Sequence, residues 1–177
     1  QISDVSLLAN LTNLKTLNLS YNQISDISAL ANLTNLASLD LGFNQLSNIG
    51  TLADLTNLTS LSSEGTQIND ISPLVENTGI SGIINLKGNP LNNTALSTHI
   101  PSLIERGIEV EYDMPEGVVL FKDSNLEKAI RDALGIPTEL LKEEDLAQLT
   151  ELTYEGKEGT KISNLTGLEH SINLTEL

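Results

Sequence analysis

The 177-residue chain contains no cysteine and no tryptophan. It therefore has no disulfide framework, no thiolate metal site and no cysteine nucleophile. Histidine occurs only as His99 and His170. Neither stands in a motif with a partner, so acid–base or nucleophilic chemistry has no centre, and the chain reads as a non-enzyme without a cofactor. Positive charge is scarce: nine Lys and Arg stand against 24 Asp and Glu, a net charge of −15. Lys15 and Lys87 are the only basic residues before Arg106, which excludes the basic stripe that nucleic-acid binding needs. Acid is concentrated instead over 105–158, with 15 acidic and six basic side chains, a pattern expected of a solvated face. No apolar run approaches roughly 18 residues, so no helix is expected to span a membrane. The chain also opens without a signal-peptide pattern.

What the chain does have is leucine at regular intervals. The segments starting at Leu11, Leu33 and Leu55 repeat one another with a step of 22 residues. Leu14, Leu36 and Leu58 share a column, as do Leu17, Leu39 and Leu61. Three further columns hold Ile24, Leu46 and Ile68; Ile27, Ile49 and Ile71; and Leu30, Leu52 and Leu74. Ile2, Val5 and Leu8 fall one period earlier, so the chain begins inside a repeat. A period in the range of about 20–29 residues with L-x-x-L-x-L-x-x-N is the leucine-rich-repeat signature. The fold expected is a leucine-rich-repeat solenoid, a right-handed β/3-10 horseshoe with a parallel concave sheet and α-helical caps.

The physical reason is that one coil cannot bury its own leucines, whereas stacked coils cover each other at about the 4.8 Å strand spacing. A short strand such as Thr16–Ser20 alternates inward Leu17 and Leu19 with outward side chains. The stripe at 24, 27 and 30 is too short for a regular helix and predicts a 3-10-like return. Asn22 and Asn44 mark where each strand turns away; an amide there offers donors and an acceptor to backbone groups that would otherwise be stranded. The third coil departs furthest, with Thr66 for Asn and Ser63 for an inward leucine, and predicts the weakest core. A fourth copy, "IINLKGNP", follows with Asn89 in the ladder position and one extra residue in its connection.

From about 90 to 114 the repeat gives way to one or two short helices kinked near Pro101, a stop at Gly107 and a strand near Ile108–Tyr112. Such a segment covers the open end of a stack. After "MPEG", Ser124 and Glu127 read as an S-x-x-E capping box. The helix behind them carries Leu126, Ala129, Ile130, Ala133 and Leu134 on one apolar face and stops at Gly135. A second helix is expected near Glu143. Ile162, Leu165, Leu168 and Leu174 then open a new repeat with the intervals of Ile24, Ile27, Leu30 and Leu36.

The repeats "LTNLKTLNLSYNQISDIS" and "LTNLASLDLGFNQLSNIG", and the segment "FKDSNLEKAI", resemble bacterial internalin-like leucine-rich-repeat proteins over almost the whole chain. The resemblance implies an N-terminal helical cap over Phe121–Leu152 and an extracellular or cell-surface location, although a cytoplasmic chain would have the same composition. Two units are expected: 1–114, the C-terminal part of a solenoid with its cap, and 118–177, the helical cap and first incomplete repeat of a second. Both ends stop in mid-repeat, so end-to-end self-association of the fragment is expected.

Three local motifs yield to plainer readings. Asp123, Asn125 and Glu127 mimic an EF-hand start, but Lys128 stands where the loop needs Gly, so no metal is assigned. "GKEGTK" has a passing likeness to a phosphate loop with the wrong spacing. The Asn-x-Thr triplets at Asn10, Asn32, Asn57, Asn164 and Asn173 follow from the repeat phrase. What remains is surface. Outward positions vary from coil to coil and give the candidate ligand-binding residues Thr16, Asn18, Tyr21, Ser38, Asp40, Phe43, Ser60, Ser62, Glu64, Asn85 and Lys87. Tyr21 and Phe43 share a column, and aromatics are favoured at binding hot spots; shielding of the asparagine ladder is the plainer role for them. The reading is a module that binds another protein of unknown identity through its concave face. A structural spacer in a tandem-repeat stalk, and the non-catalytic part of a larger enzyme, are the alternatives.

Overall fold

In a computed structural model the described residues are 1–154, 156 and 161–177; most of the "GKEGTK" stretch lies outside them. The chain divides into two units, Gln1–Asp113 and Met114–Leu177.

The first unit is built on five three-residue strands, β1 Thr16–Asn18, β2 Ser38–Asp40, β3 Ser60–Ser62, β4 Ile83–Asn85 and β5 Glu109–Glu111. They form one parallel sheet in sequence order. Leu17 pairs with Leu39 and Leu39 with Leu61, the 22-residue step seen in the sequence. Leu61 then pairs with Ile84, one residue further on. The extra residue is accommodated beside Gly82, where a Cβ would lie 2.0 Å from Thr59 O. Returns from the sheet are 3-10 turns at Ser6–Leu8, Ser28–Leu30 and Gly50–Asp54, and one short helix, α1, at Ser72–Glu76. Successive coils bury their apolar columns completely: Leu36, Leu39 and Leu58 are at most 1% exposed, as are Ile24, Leu46 and Ile68. Burial of each such side chain is worth roughly 1.5–3 kcal/mol relative to exposure. Leu17 is only half-buried, because β1 is an edge strand.

The asparagine ladder is present. Asn44 Nδ2 donates to Leu41 O of its own coil and to Leu19 O of the coil before, both at 2.9 Å, while its Oδ1 accepts from the Ile24 N–H. Asn22 and Asn89 likewise accept from Ile2 and Ile68. Thr66 interrupts the ladder. Its hydroxyl reaches Ser63 O and Asn89 Oδ1 but makes no bond back to the coil before it. Ser63 points inward, fully buried, with its hydroxyl unpaired. A second asparagine, Asn77, is also fully buried and donates to Leu52 O and Leu55 O.

The stack is closed by a π-helical turn at Ala95–His99 that runs into α2, Ile100–Glu105, the change of winding falling beside Pro101. Gly107, at φ 82°, ends it. Arg106 straps this cap to the coil through Val75 O and Asn77 O, at 3.1 and 2.6 Å.

The second unit packs α3 (Ser124–Leu134) and α4 (Glu143–Leu146) around Phe121, Leu126, Ile130, Leu141, Leu146, Leu149 and Leu152. Ala133 is exposed, so the buried face of α3 is narrower than the sequence pattern implies. The N-cap is Asp123, not Ser124, which is the first helical residue. One Asp123 oxygen accepts from the Asn125 and Leu126 N–H groups, and the other from the Ser163 N–H and hydroxyl and the Asn164 N–H. These bonds, those from Ser163 foremost, hold its carboxyl far below the usual carboxylate range. With Asp123 as N-cap the third helical position falls on Leu126, one residue before Glu127, whose carboxylate pairs with Arg131 at 2.9 Å, one turn on. In the repeat segment that follows, a 3-10 turn forms at Leu168–His170. Ile162, Leu168 and Leu174 are half-buried, whereas Leu165 is 56% exposed.

Candidate functional site

The outward positions of β1 to β5 line up in columns across the sheet. Thr16, Ser38, Ser60 and Ile83 form one, of which Thr16, Ser60 and Ile83 are exposed and Ser38 half-buried. Asn18, Asp40, Ser62 and Asn85 form the next. Asn18 Oδ1 accepts from the Ser20 N–H, Asp40 Oδ1 from the Gly42 N–H and Asn85 Oδ1 from the Lys87 N–H, an Asx turn that ends β1, β2 and β4. Across strands, Asn18 Nδ2 donates to Asp40 Oδ2 at 3.1 Å, and Asn85 Nδ2 donates to Glu64 Oε2 at 3.0 Å.

The last column is Tyr21, Phe43, Gly65 and Gly88. All four have left-handed backbone, with φ of 58°, 54°, 61° and 69°. The backbone ladder continues through it, since Tyr21, Phe43 and Gly65 N–H groups donate to Gly42, Glu64 and Lys87 carbonyls at 2.7–2.9 Å. Glycine adopts this conformation at no steric cost; a side-chain-bearing residue spends about 1–2 kcal/mol there. Tyr21 and Phe43 nonetheless occupy it and hold their rings outward, 69% and 41% exposed. The rings stack with centroids 4.6 Å apart and planes 14° apart. Phe43 leans over Gly65, where a Cβ would come within 2.7 Å of the ring. Each ring thus rests on the next residue of the column.

The structure brings Asn18, Tyr21, Asp40, Phe43 and Glu64 into one neighbourhood by these contacts. Lys87 is exposed; its ammonium pairs with Glu111 Oε2 at 2.9 Å, and this bond, with the nearby charges of Glu64 and Asp113, raises its pKa. Glu111 and Asp113 were not among the sequence candidates, although Asp113 accepts from the Gly88 N–H at 2.7 Å. The signal for them was available in the outward phase of the strand expected at 108–112.

The histidines are less isolated than the sequence indicates. His99 Nδ1 lies 4.0 Å from Asp70 Oδ1, and His170 Nδ1 lies 3.4 Å from Glu143 Oε1. A second carboxylate, Glu169 Oε1, lies 3.9 Å from His170 Nε2, and among the described residues no three His, Cys, Asp or Glu are grouped to hold a metal ion. Three of the Asn-x-Thr asparagines have structural bonds: Asn57 Nδ2 donates to Thr34 O and Asn173 Nδ2 to Ala147 O, both at 2.7 Å, and Asn164 Oδ1 accepts from the Thr166 N–H at 2.8 Å. Among the described residues no helix is long and apolar enough to cross a membrane.

A family model for leucine-rich repeats, in two copies, matches residues 1–32. Solved structures extend the likeness. Internalin F of Listeria monocytogenes is 28% identical, with a TM-score of 0.54 over 99% of this chain and 44% of its own. Internalin C2 of the same organism is 32% identical over 63% of this chain and 57% of its own, with a TM-score of 0.49. A leucine-rich-repeat protein of Leptospira interrogans is 18% identical over 64% of this chain and 35% of its own, also at 0.49. The chain therefore spans 35–57% of the length of these structures. No curated protein matches it. The parallel sheet in 22-residue register and the asparagine ladder make this chain a leucine-rich-repeat solenoid, similar in fold to internalin F.

Proposed function

We propose that the chain is a protein-binding module of a bacterial surface or secreted protein, and that it binds through the concave face of its sheet with Tyr21 and Phe43 as anchor. One observation carries this reading. Two of the five aromatic residues in the chain stack in the open, on backbone that two glycines occupy further along the same column. Strained backbone of this kind persists where its surroundings or its function require it, and rigid exposed aromatics give contact area at little entropic cost. Around them the sheet offers side chains already fixed by hydrogen bonds, which lowers the cost of ordering on binding. The location rests on the resemblance to internalins. We read the first unit as the closing part of one solenoid with its cap, and the second as the opening cap of another.

The column of hydroxyls at Thr16, Ser38 and Ser60 is what a spacer would present, and one experiment separates the two roles. The full chain and a Tyr21→Gly/Phe43→Gly double variant are immobilised and exposed to cell-surface protein extracts, with retained proteins identified by mass spectrometry. Proteins held by the native chain and lost from the variant support binding by this face; equal retention by both overturns it.

A further inference from the structure

Each unit leaves one coil without a covering neighbour. In the first unit this coil carries Ile2, Leu8, Leu11, Leu14 and Leu17. Ile2 and Leu11 are each 48% exposed, and the other three are half-buried. Their equivalents one coil on, Ile24, Leu30, Leu33, Leu36 and Leu39, are at most 1% exposed. The second set is covered on both sides and the first on one only, so the missing element is a coil of the same phase. A hydrogen bond is missing with it. Asn35 Nδ2 donates to Thr12 O, and Asn57 Nδ2 to Thr34 O, at 2.8 and 2.7 Å. Asn13 holds the same column, lies exposed, and makes no such bond among the described residues. In the second unit the repeat segment 161–177 is covered from behind: Asn173 Nδ2 donates to Ala147 O, the Thr175 N–H to Thr150 O and the Leu152 N–H to Glu176 O. Its other side is open. Leu165 and Leu177 remain largely exposed and border an apolar groove of about 460 Å³.

We infer that these two faces are the complementary halves of one interface, and that the partner is a second copy of this chain, docked head to tail. Ile162, Leu165, Leu168, Leu174 and Leu177 recur at the intervals of Ile2, Val5, Leu8, Leu14 and Leu17. The segment 162–177 of one copy therefore covers 2–17 of the next, as 2–17 covers 24–39 within the chain. Leu177 stacks on Leu17 of the second copy as Leu17 does on Leu39. Asn13 donates to Ile172 O across the interface as Asn35 does to Thr12 O. The Lys15 and Thr16 N–H groups meet Thr175 O as the Ala37 and Ser38 N–H groups meet Lys15 O. Both faces thus gain the apolar and backbone partners that the inner coils already have, and an unpaired strand edge is a template for such pairing. The two faces differ, so the contact is heterologous: each pair keeps one free face at either end, and association propagates rather than closes. The net charge of −15 on each copy opposes it at low ionic strength.

The test is sedimentation velocity of the full chain over a wide range of concentration up to millimolar. The mean mass is expected to rise past that of a dimer, and to rise further as salt screens the repulsion between copies. Ile2→Lys blocks one face and Leu165→Lys the other; both side chains are about half exposed, and matching thermal melts check the fold. Lysine lowers the net negative charge, so lost association reflects a blocked face and not added repulsion. Each variant alone should stay monomeric. An equimolar mixture, in which each supplies the face the other lacks, should form a dimer and stop there. Asn13→Ala removes only the exposed amide and should weaken association about fivefold, the scale of one hydrogen bond. A native chain that stays monomeric at millimolar concentration overturns the inference, as does a mixture of the two blocked variants that does not associate. Association abolished by Ile2→Lys but untouched by Leu165→Lys, or the reverse, would show like faces pairing and would equally overturn it.

Discussion

The coil at 33–54 and the coil at 55–76 have the same frame, and three of the substitutions between them show what that frame requires. Both place a leucine in the sheet core, Leu39 and Leu61, paired in register, and both bury the same apolar stripe. Inside, Leu41 of the first becomes Ser63 in the second, and the ladder residue Asn44 becomes Thr66. Outside, Phe43 becomes Gly65. The inward changes are tolerated because the sheet and the stripe still close; Thr66 retains the bond within its own coil and a bond to Asn89. The outward change carries a different lesson. Gly65 has the same left-handed backbone as Phe43 and the same ladder bond, so the frame does not need an aromatic there.

The comparison can be broken most severely at its shared core. Leu39→Ala is expected to cost about 2–5 kcal/mol in chemical denaturation, the range for a fully buried leucine; a loss below about 0.5 kcal/mol would contradict the register. Leu61→Ala should fall at the lower end, about 2 kcal/mol, because its coil already carries the smaller Ser63 and can collapse further. Ser63→Ala removes a buried hydroxyl with no partner and should stabilise by about 1 kcal/mol; destabilisation would mean that the hydroxyl is hydrogen-bonded in solution. Ser63→Leu, which restores the inward column, is expected to be neutral or stabilising. The smallest expected effect is from Thr66→Asn, which completes the ladder and should gain about 0.5–1 kcal/mol, read as a shift of the denaturation midpoint with unchanged slope.

Much of this was legible from spacing alone, because a solenoid turns sequence period directly into strand register: Thr16 meets Ser38, and Ser38 meets Ser60. The single extra residue before Ile83 was legible for the same reason. Ladder asparagines could be read because a stranded backbone group needs an amide at a fixed position. Asp123 was misread because local pattern favoured Ser124 and Glu127, whereas the helix starts one residue earlier and Asp123 caps the Asn125 and Leu126 N–H groups. The long-range grip of Asp123 on Ser163, 40 residues away, has no local signal. The binding candidates were chosen by phase. The left-handed column did have a signal, since Gly65 and Gly88 align with Tyr21 and Phe43 once the extra residue is allowed for.

The central claim is that the exposed aromatic pair is held against the preference of the backbone for the sake of binding. Tyr21→Gly tests it most directly, with stability and partner binding measured on the same sample. Relief of the left-handed strain, about 1–2 kcal/mol, offsets the lost stacking, about 0.5–1.5 kcal/mol, and the added freedom of the unfolded chain, about 0.5–1 kcal/mol. The account predicts a stability within about 1 kcal/mol of the native chain together with lost binding. A loss of more than about 2 kcal/mol with binding retained would show that the ring serves the fold, and would contradict it.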